Sequence, residues 1–276
     1  MKVAQLREHR LEISPPPAQR SDPADAYGNA RTFFALESTH EELSVVAHSL
    51  VRTSTPALPG EAERSVPWEQ VRERFRYRKG AGYDAAGEFV FASHYVPRHD
   101  DFAAYARTSF TPGRPLFDAA HELMQRMFSD FIYDGDSTEI STPAVQALAQ
   151  RRGVCQDFAH IMIGSLRTLG LPARYVSGYL LTQPAPGQER LVGADASHAW
   201  VSVYLPGAQG TGAWTDFDPT NGRQPGEDYV ALATGRDFAD VSPMRGVLHG
   251  GARHTLKVGV TVLPVQAQDD AQAPAA

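Results

Sequence analysis

Arg152-Gly153-Val154-Cys155-Gln156-Asp157-Phe158-Ala159-His160, running on through IMIGSLRTLGLPARYVSGYLL to residue 181, is the stretch that decides the fold. Phe158, Ile161, Met162, Ser165, Leu166 and Leu169 recur at steps of three and four, so they share one face of a helix. Gly170 is placed to end that helix in a left-handed cap, and Pro172 prevents its continuation. From 173 to 181 the period changes to two, which reads as a strand. Two more strands follow at 197–205 and 214–218, joined by the loops PAPGQER (184–190) and PGAQGTG (206–212). A helix packed on an antiparallel sheet is an α+β core.

Upstream, Leu116, Ala119, Leu123, Met127 and Phe128 form a helical stripe that reads as core. A short helix fits 143–149, with Thr142 as N-cap and Pro143 at the first helical position. Residues 1–53 alternate short apolar runs with Pro, Asp and Gly and read as strands and turns. There Tyr27-Gly28-Asn29 predicts a turn, and Leu43, Val45, Val46 and Leu50 take strand or core positions. Residues 54–65 are rich in Pro and Gly and read as a linker, while 68–108 show no clear period. Leu256, Val258, Val260 and Val262 alternate as a last strand. The tail VQAQDDAQAPAA is too polar and simple to pack and is expected to be disordered. The expected organisation is a β-rich domain at 1–65, a core with its closing strand at 66–264, and a tail at 265–276.

The chain has 276 residues, 42% of them hydrophobic and 21% charged, enough for a substantial core. A net charge of −6 and no long Lys/Arg block argue against nucleic acid and anionic membrane as partners. No apolar leader follows the first basic residues and no run approaches a membrane span, so the expected location is cytoplasmic. A single Cys makes no internal disulfide, in keeping with a reducing compartment.

That Cys, Cys155, stands at the mouth of the third helix. Unpaired backbone N–H groups and the positive end of the helix dipole favour an anion there, and would equally stabilise an oxyanion on an attacked carbonyl. Gly153 allows a tight turn before it. A thiol nucleophile needs an imidazole to take its proton and return it to a leaving amine. Of ten His, His198 stands out by context. In ASHAWVSVY, alternation puts His198, Trp200, Ser202 and Tyr204 on one strand face, open to a cleft, and Ala199, Val201 and Val203 on the core side. A carboxylate must fix the imidazole tautomer. Asp216 and Asp218 in WTDFDPTN share a face, and period-two geometry does not choose between them.

GVCQDFAH, then LRTLGLPARYVSGY, ASHAW and FDPTNG, in this order, resemble the catalytic core of the transglutaminase-like superfamily, closest to a bacterial branch commonly labelled cysteine proteases. The resemblance implies a papain-like/transglutaminase-like core with Cys155 as nucleophile, His198 as base and Asp218, not Asp216, as orienting acid. DAYGN and STHEELSVVA resemble the β-rich N-terminal domain of that branch, and RGVLHGGARHTLKVGVTV its closing strand. The N-terminal domain looks shortened, since the family carries another strand or two before the position of Met1.

The implied reaction cleaves an amide or peptide bond through a thioacyl-enzyme, in a peptide, a protein or an amide-containing small molecule. An amine acceptor in place of water would make the chain a protein-glutamine γ-glutamyltransferase, and a third alternative is a non-catalytic binding or scaffold module. No cofactor is expected, and neither paired CxxC nor HExxH spacing offers zinc a site. No dense acidic loop suggests calcium. His160, five residues after Cys155, falls about 140° away around the helix and reads as structural. Gln156 and Tyr133 are weaker candidates for oxyanion donors.

Overall fold

The structure, a computed structural model, describes residues 4–55, 59–64, 66–80, 82–182, 197–207, 212–250 and 254–265. The loop at 184–190, most of that at 206–212 and nearly all of the tail lie outside the described residues.

Four short or ribbon-like strands come first: β1 (Ala4–Ser14), β2 (Gln19–Ser21), β3 (Phe33–Ala35) and β4 (Ser44–Thr53). β1 pairs with β4 and β2 with β3, both antiparallel. The expected turn is present, with Gly28 at φ +80°. Val45 is half-buried, but Val46 and Leu50 are exposed rather than core. A two-stranded ribbon gives its side chains no second layer to bury against. The linker carries a short helix, α1 (Glu61–Arg64), and the stretch without a readable period forms α2 (Trp68–Phe75), a 3₁₀ turn (Ala85–Val90) and α3 (Asp100–Arg107).

α4 (Leu116–Asp130) buries Leu116, Ala119, Leu123 and Met127 as its stripe predicts, whereas Phe128 is exposed. Phe128 lies about 120° around the helix from Leu116. β5 (Ile132–Tyr133) follows, then α5 (Ala144–Gln150), β6 (Arg152–Gly153) and α6 (Cys155–Thr168). Pro143 precedes α5 in an extended conformation, and Thr142 does not cap it. The Thr142 hydroxyl instead accepts from the Glu139 N–H at 2.9 Å, a local side-chain turn that competes with capping.

α6 ends as its sequence requires. Gly170 sits at φ +80°, its N–H reaches the Arg167 carbonyl, and the Leu171 N–H reaches back to Leu166. This paired pattern satisfies the last carbonyls only if the residue after the helix is left-handed. From Asp157 to Arg167 every residue of α6 is buried. The helix is enclosed by α3 and α5 on one side and by the sheet on the other.

That sheet contains β7 (Ala173–Leu180), β8 (Ser197–Pro206), β9 (Gly212–Phe217) and β10 (Tyr229–Gly235), antiparallel in the order β10-β7-β8-β9. Ala199, Val201, Val203 and Leu205 join the main core with Ile161, Met162 and Leu166. The opposite face is covered as well: Trp200 is fully buried among Val176, Tyr229 and Leu180, and Ser202 is buried. The face expected to line a cleft is therefore packed along most of its length, Trp200 lying among side chains from β7 and β10 of the same sheet. A short helix, α7 (Phe238–Val241), follows. The expected strand at 256–262 is not formed among the described residues: Val260 makes one bridge, and Leu256 and Val258 are exposed. Alternation alone supplies no ladder of hydrogen bonds.

The Asn29 side chain joins the N-terminal ribbons to the core. Its amide nitrogen donates to the Thr234 carbonyl at 2.8 Å, and its oxygen accepts from the Thr234 N–H at 2.9 Å. Asn29 thus satisfies both backbone groups on the outer side of β10, the sheet's edge strand. At the strand's other end, Thr55 donates to Glu227 through its N–H and its hydroxyl. Asn29→Ala should cost about 1–3 kcal/mol through two unpaired backbone groups, lowering Tm by several degrees in a thermal melt.

Candidate active site

Gly153, at the end of β6, lies beside Tyr133 in a short parallel pair. A Cβ at Gly153 would sit 2.6 Å from Asp157 Oδ2, so only glycine permits this approach. The buried Asp157 carboxylate accepts from the Val154 N–H at 2.8 Å and from the Thr138 hydroxyl at 2.7 Å. Burial raises its pKa against these two hydrogen bonds. The extended Val154 then hands the chain to Cys155, the first residue of α6, whose side chain is partly exposed.

His198, the second residue of β8, is 8% exposed. Its Nε2 lies 2.7 Å from Asp218 Oδ2, and Cys155 is near enough for its charge to act on the ring. With Nε2 engaged by the carboxylate, Nδ1 is the nitrogen free to serve the thiol. Burial acts to lower the His198 pKa, but the hydrogen bonds and charges of Asp218 and Cys155 outweigh it and push it up to about 9. Asp218 is fully buried; burial raises its pKa, and the bonds from His198, Tyr229 and Asn221 more than reverse this, leaving it below the usual carboxylate range.

The structure therefore brings Cys155, His198 and Asp218 together. Asp216 is elsewhere employed: its carboxylate accepts from Trp200 Nε1 at 3.0 Å. Two strand positions of the same parity diverge because β9 ends at Phe217 and Asp218 opens a turn. In that turn Asp218 Oδ1 accepts from the backbone N–H groups of Thr220 (2.8 Å) and Asn221 (3.2 Å). Gly222, at φ +61°, lets the chain return to Arg223, and the Phe128 ring covers it closely enough to exclude a Cβ. This is the use to which the exposed Phe128 is put.

Asn221 and Tyr229 were not singled out in the sequence. Both donate to Asp218 Oδ2 at 2.7 Å, and Asn221 Nδ2 is also 3.3 Å from His198 Nε2. DPTN carries a turn signal that pointed toward Asn221. Nothing local marks Tyr229, which reaches Asp218 from another strand. His160 is buried, stacks on Tyr95 with centroids 5.5 Å apart, and accepts from the Phe238 N–H at 3.2 Å. Burial drives its pKa down to about 3, as suits a neutral acceptor. Gln156 is half-buried. Tyr133 is exposed, yet near enough to Cys155 that the thiol's charge adds to burial in raising its pKa. An open depression of about 490 Å³ lined by Arg74, Tyr83, Asp84 and Tyr204 lies six residues along β8 from His198 and holds none of these groups. Among the described residues no group of three or more His, Cys, Asp or Glu could hold a metal ion, and no helix is long and apolar enough to cross a membrane.

The chain is 40% identical over 262 residues to the uncharacterized protein Rv2569c of Mycobacterium tuberculosis, covering 94% of this chain and 82% of that one. It is 32% identical over 244 residues to ML0607 of Mycobacterium leprae, covering 86% and 79%. Its fold matches a crystal structure described as a "Putative Cysteine Protease" from Cytophaga hutchinsonii, with TM-score 0.63 and 24% identity, covering 88% of this chain and 74% of the other. Residues 3–52 match the bacterial transglutaminase-like N-terminal region, and residues 103–219 match the transglutaminase-like superfamily. With its papain-like α+β core and β-rich N-terminal region, the chain belongs to the transglutaminase-like superfamily.

Proposed function

We propose that this chain is a cysteine-dependent acyl-transfer enzyme that cleaves an amide or peptide bond through a thioacyl-enzyme intermediate. The observation that carries the reading is the buried His198, bonded to Asp218 and set near a thiol at a helix N-terminus. Cys155 Sγ gives up its proton to His198 Nδ1 and bonds to the substrate carbonyl carbon, whose π electrons move to oxygen. The backbone N–H groups at the start of α6 serve that oxyanion, and Tyr133, beside Gly153 and near Cys155, is the proposed side-chain assistant. Collapse breaks the C–N bond, and His198 returns the proton to the leaving amine. Water then loses a proton to the same nitrogen, attacks the thioester, and releases acid and thiol.

Asp218 keeps the proton on Nε2 and stabilises the imidazolium. Donation to the amine needs protonated His198, so this step should weaken as pH rises through about 9. The proposed substrates are peptides, proteins or amide-containing small molecules, met in the cytoplasm.

The test is alkylation of Cys155 by iodoacetamide between pH 5 and 9, followed by intact mass. The wild-type chain should label well below pH ~8.5, where an isolated thiol loses reactivity, and His198→Ala should slow labelling at pH 6 about 10-fold or more. Native protein that resists labelling, or a rate indifferent to His198, would sink the reading in favour of a scaffold module. Amide substrates turned over with and without an added primary amine then separate hydrolysis from transamidation.

A further inference from the structure

Asp218 does more than face His198. Its Oδ2 accepts three hydrogen bonds within one buried site: from His198, from Asn221 and from the Tyr229 hydroxyl, the last at 2.7 Å. Tyr229 is 1% exposed and opens β10. Its ring stands edge-on to Trp200 with centroids 5.4 Å apart and lies 5.9 Å from the His198 ring. The Arg223 guanidinium covers the ring at 4.7 Å and is itself paired with Asp228.

We infer that Tyr229 is a positioning residue of this site, whose hydroxyl fixes the Asp218 carboxylate and takes up part of its charge, and so limits how strongly His198 holds its proton. This rests on the proposed triad. A carboxylate oxygen shared among three donors offers each less electron density than one shared between two, and in a fully buried site no water replaces a missing donor. An imidazole that must both accept a proton from a thiol and surrender it to an amine works best when its basicity is neither lost nor excessive. Asp218 alone would push His198 toward excess, and the Tyr229 hydroxyl restrains it. The ionisable groups facing His198 are Asp218 from the turn after β9, Cys155 from α6 and Tyr229 from β10, with Arg223 and Asp228 behind the tyrosine. Arg223 is paired with Asp228, and its charge also reaches Tyr229 and Asp218 in wild type and variant alike.

The test is an NMR titration of protein labelled with ¹⁵N-histidine, in which the resonances missing from His198→Ala assign those of His198. Tyr229→Phe keeps the ring against Trp200 and removes one donor from Asp218. The His198 midpoint should then rise by about half a pH unit or more. Should that variant fail to fold, growth on 3-fluorotyrosine leaves the chain's shape intact and makes the phenol a stronger donor, and the same midpoint should fall. A midpoint that stays put or moves the other way in either experiment overturns the inference. Failure of the triad reading looks different: iodoacetamide labelling would then ignore His198→Ala, while the His198 midpoint would still answer to Tyr229.

Discussion

Asp218→Asn should lower turnover of any amide substrate by about 10⁴-fold, the loss typical when the orienting acid of such a triad becomes an amide. The reason is the tautomer. Oδ2 of Asp218 now receives donors from His198, Asn221 and Tyr229, while Oδ1 receives two backbone N–H groups in the turn. An asparagine keeps its oxygen on the backbone pair, since that pair has nowhere else to go. Its NH₂ then points at His198 Nε2, which must become an acceptor. The ring proton moves to Nδ1, and the lone pair that should take the Cys155 proton disappears. Single-turnover acylation should show the loss at pH 7, with folding checked by circular dichroism. Retention of more than a tenth of wild-type turnover would mean that Asp218 does not set the tautomer.

The second large effect is expected at Gly178, which pairs with His198 on one side and Ala231 on the other. A Cβ there would collide with the Val230 carbonyl oxygen and lie 2.5 Å from the Trp200 ring. No rotamer relieves a clash with backbone, and Trp200 is held from behind by Asp216. Gly178→Ala should therefore cost about 3 kcal/mol or more, with Tm falling about 6–12 °C. Because the strain falls on β10, which carries Tyr229, His198 should become more solvent-accessible even in molecules that remain folded. A melt within 2 °C of wild type would show that the sheet yields more readily than this packing implies.

The parts of this architecture that the sequence disclosed are those governed by local spacing. The apolar stripe from Phe158 to Leu166, the stop at Gly170 and the alternation of Ala199, Val201 and Val203 each follow from backbone period, and each is found where expected. Position in the site is different. Asp216 and Asp218 share a parity, and only the end of β9 at Phe217 separates them; family resemblance, not spacing, favoured Asp218. Tyr229 meets Asp218 only because the turn after β9 folds back, and no period over the 11 positions that separate them marks that contact. The Thr142 cap failed because its hydroxyl had a nearer partner in Glu139, and the cleft expected beside Trp200 is filled by Val176 from β7 and Tyr229 from β10.

The paired hydrogen bonds between Asn29 and Thr234 join residues 205 positions apart. During synthesis at about 5–20 residues per second, roughly 10–40 seconds separate the appearance of the two partners. Throughout that interval the N-terminal ribbon emerges with Leu6, Val46 and Leu50 on its surface and without the strand it is built to hold. Asn29 is thus made long before the strand that fixes it in place. A cell making this protein must keep that ribbon from other chains until β10 arrives.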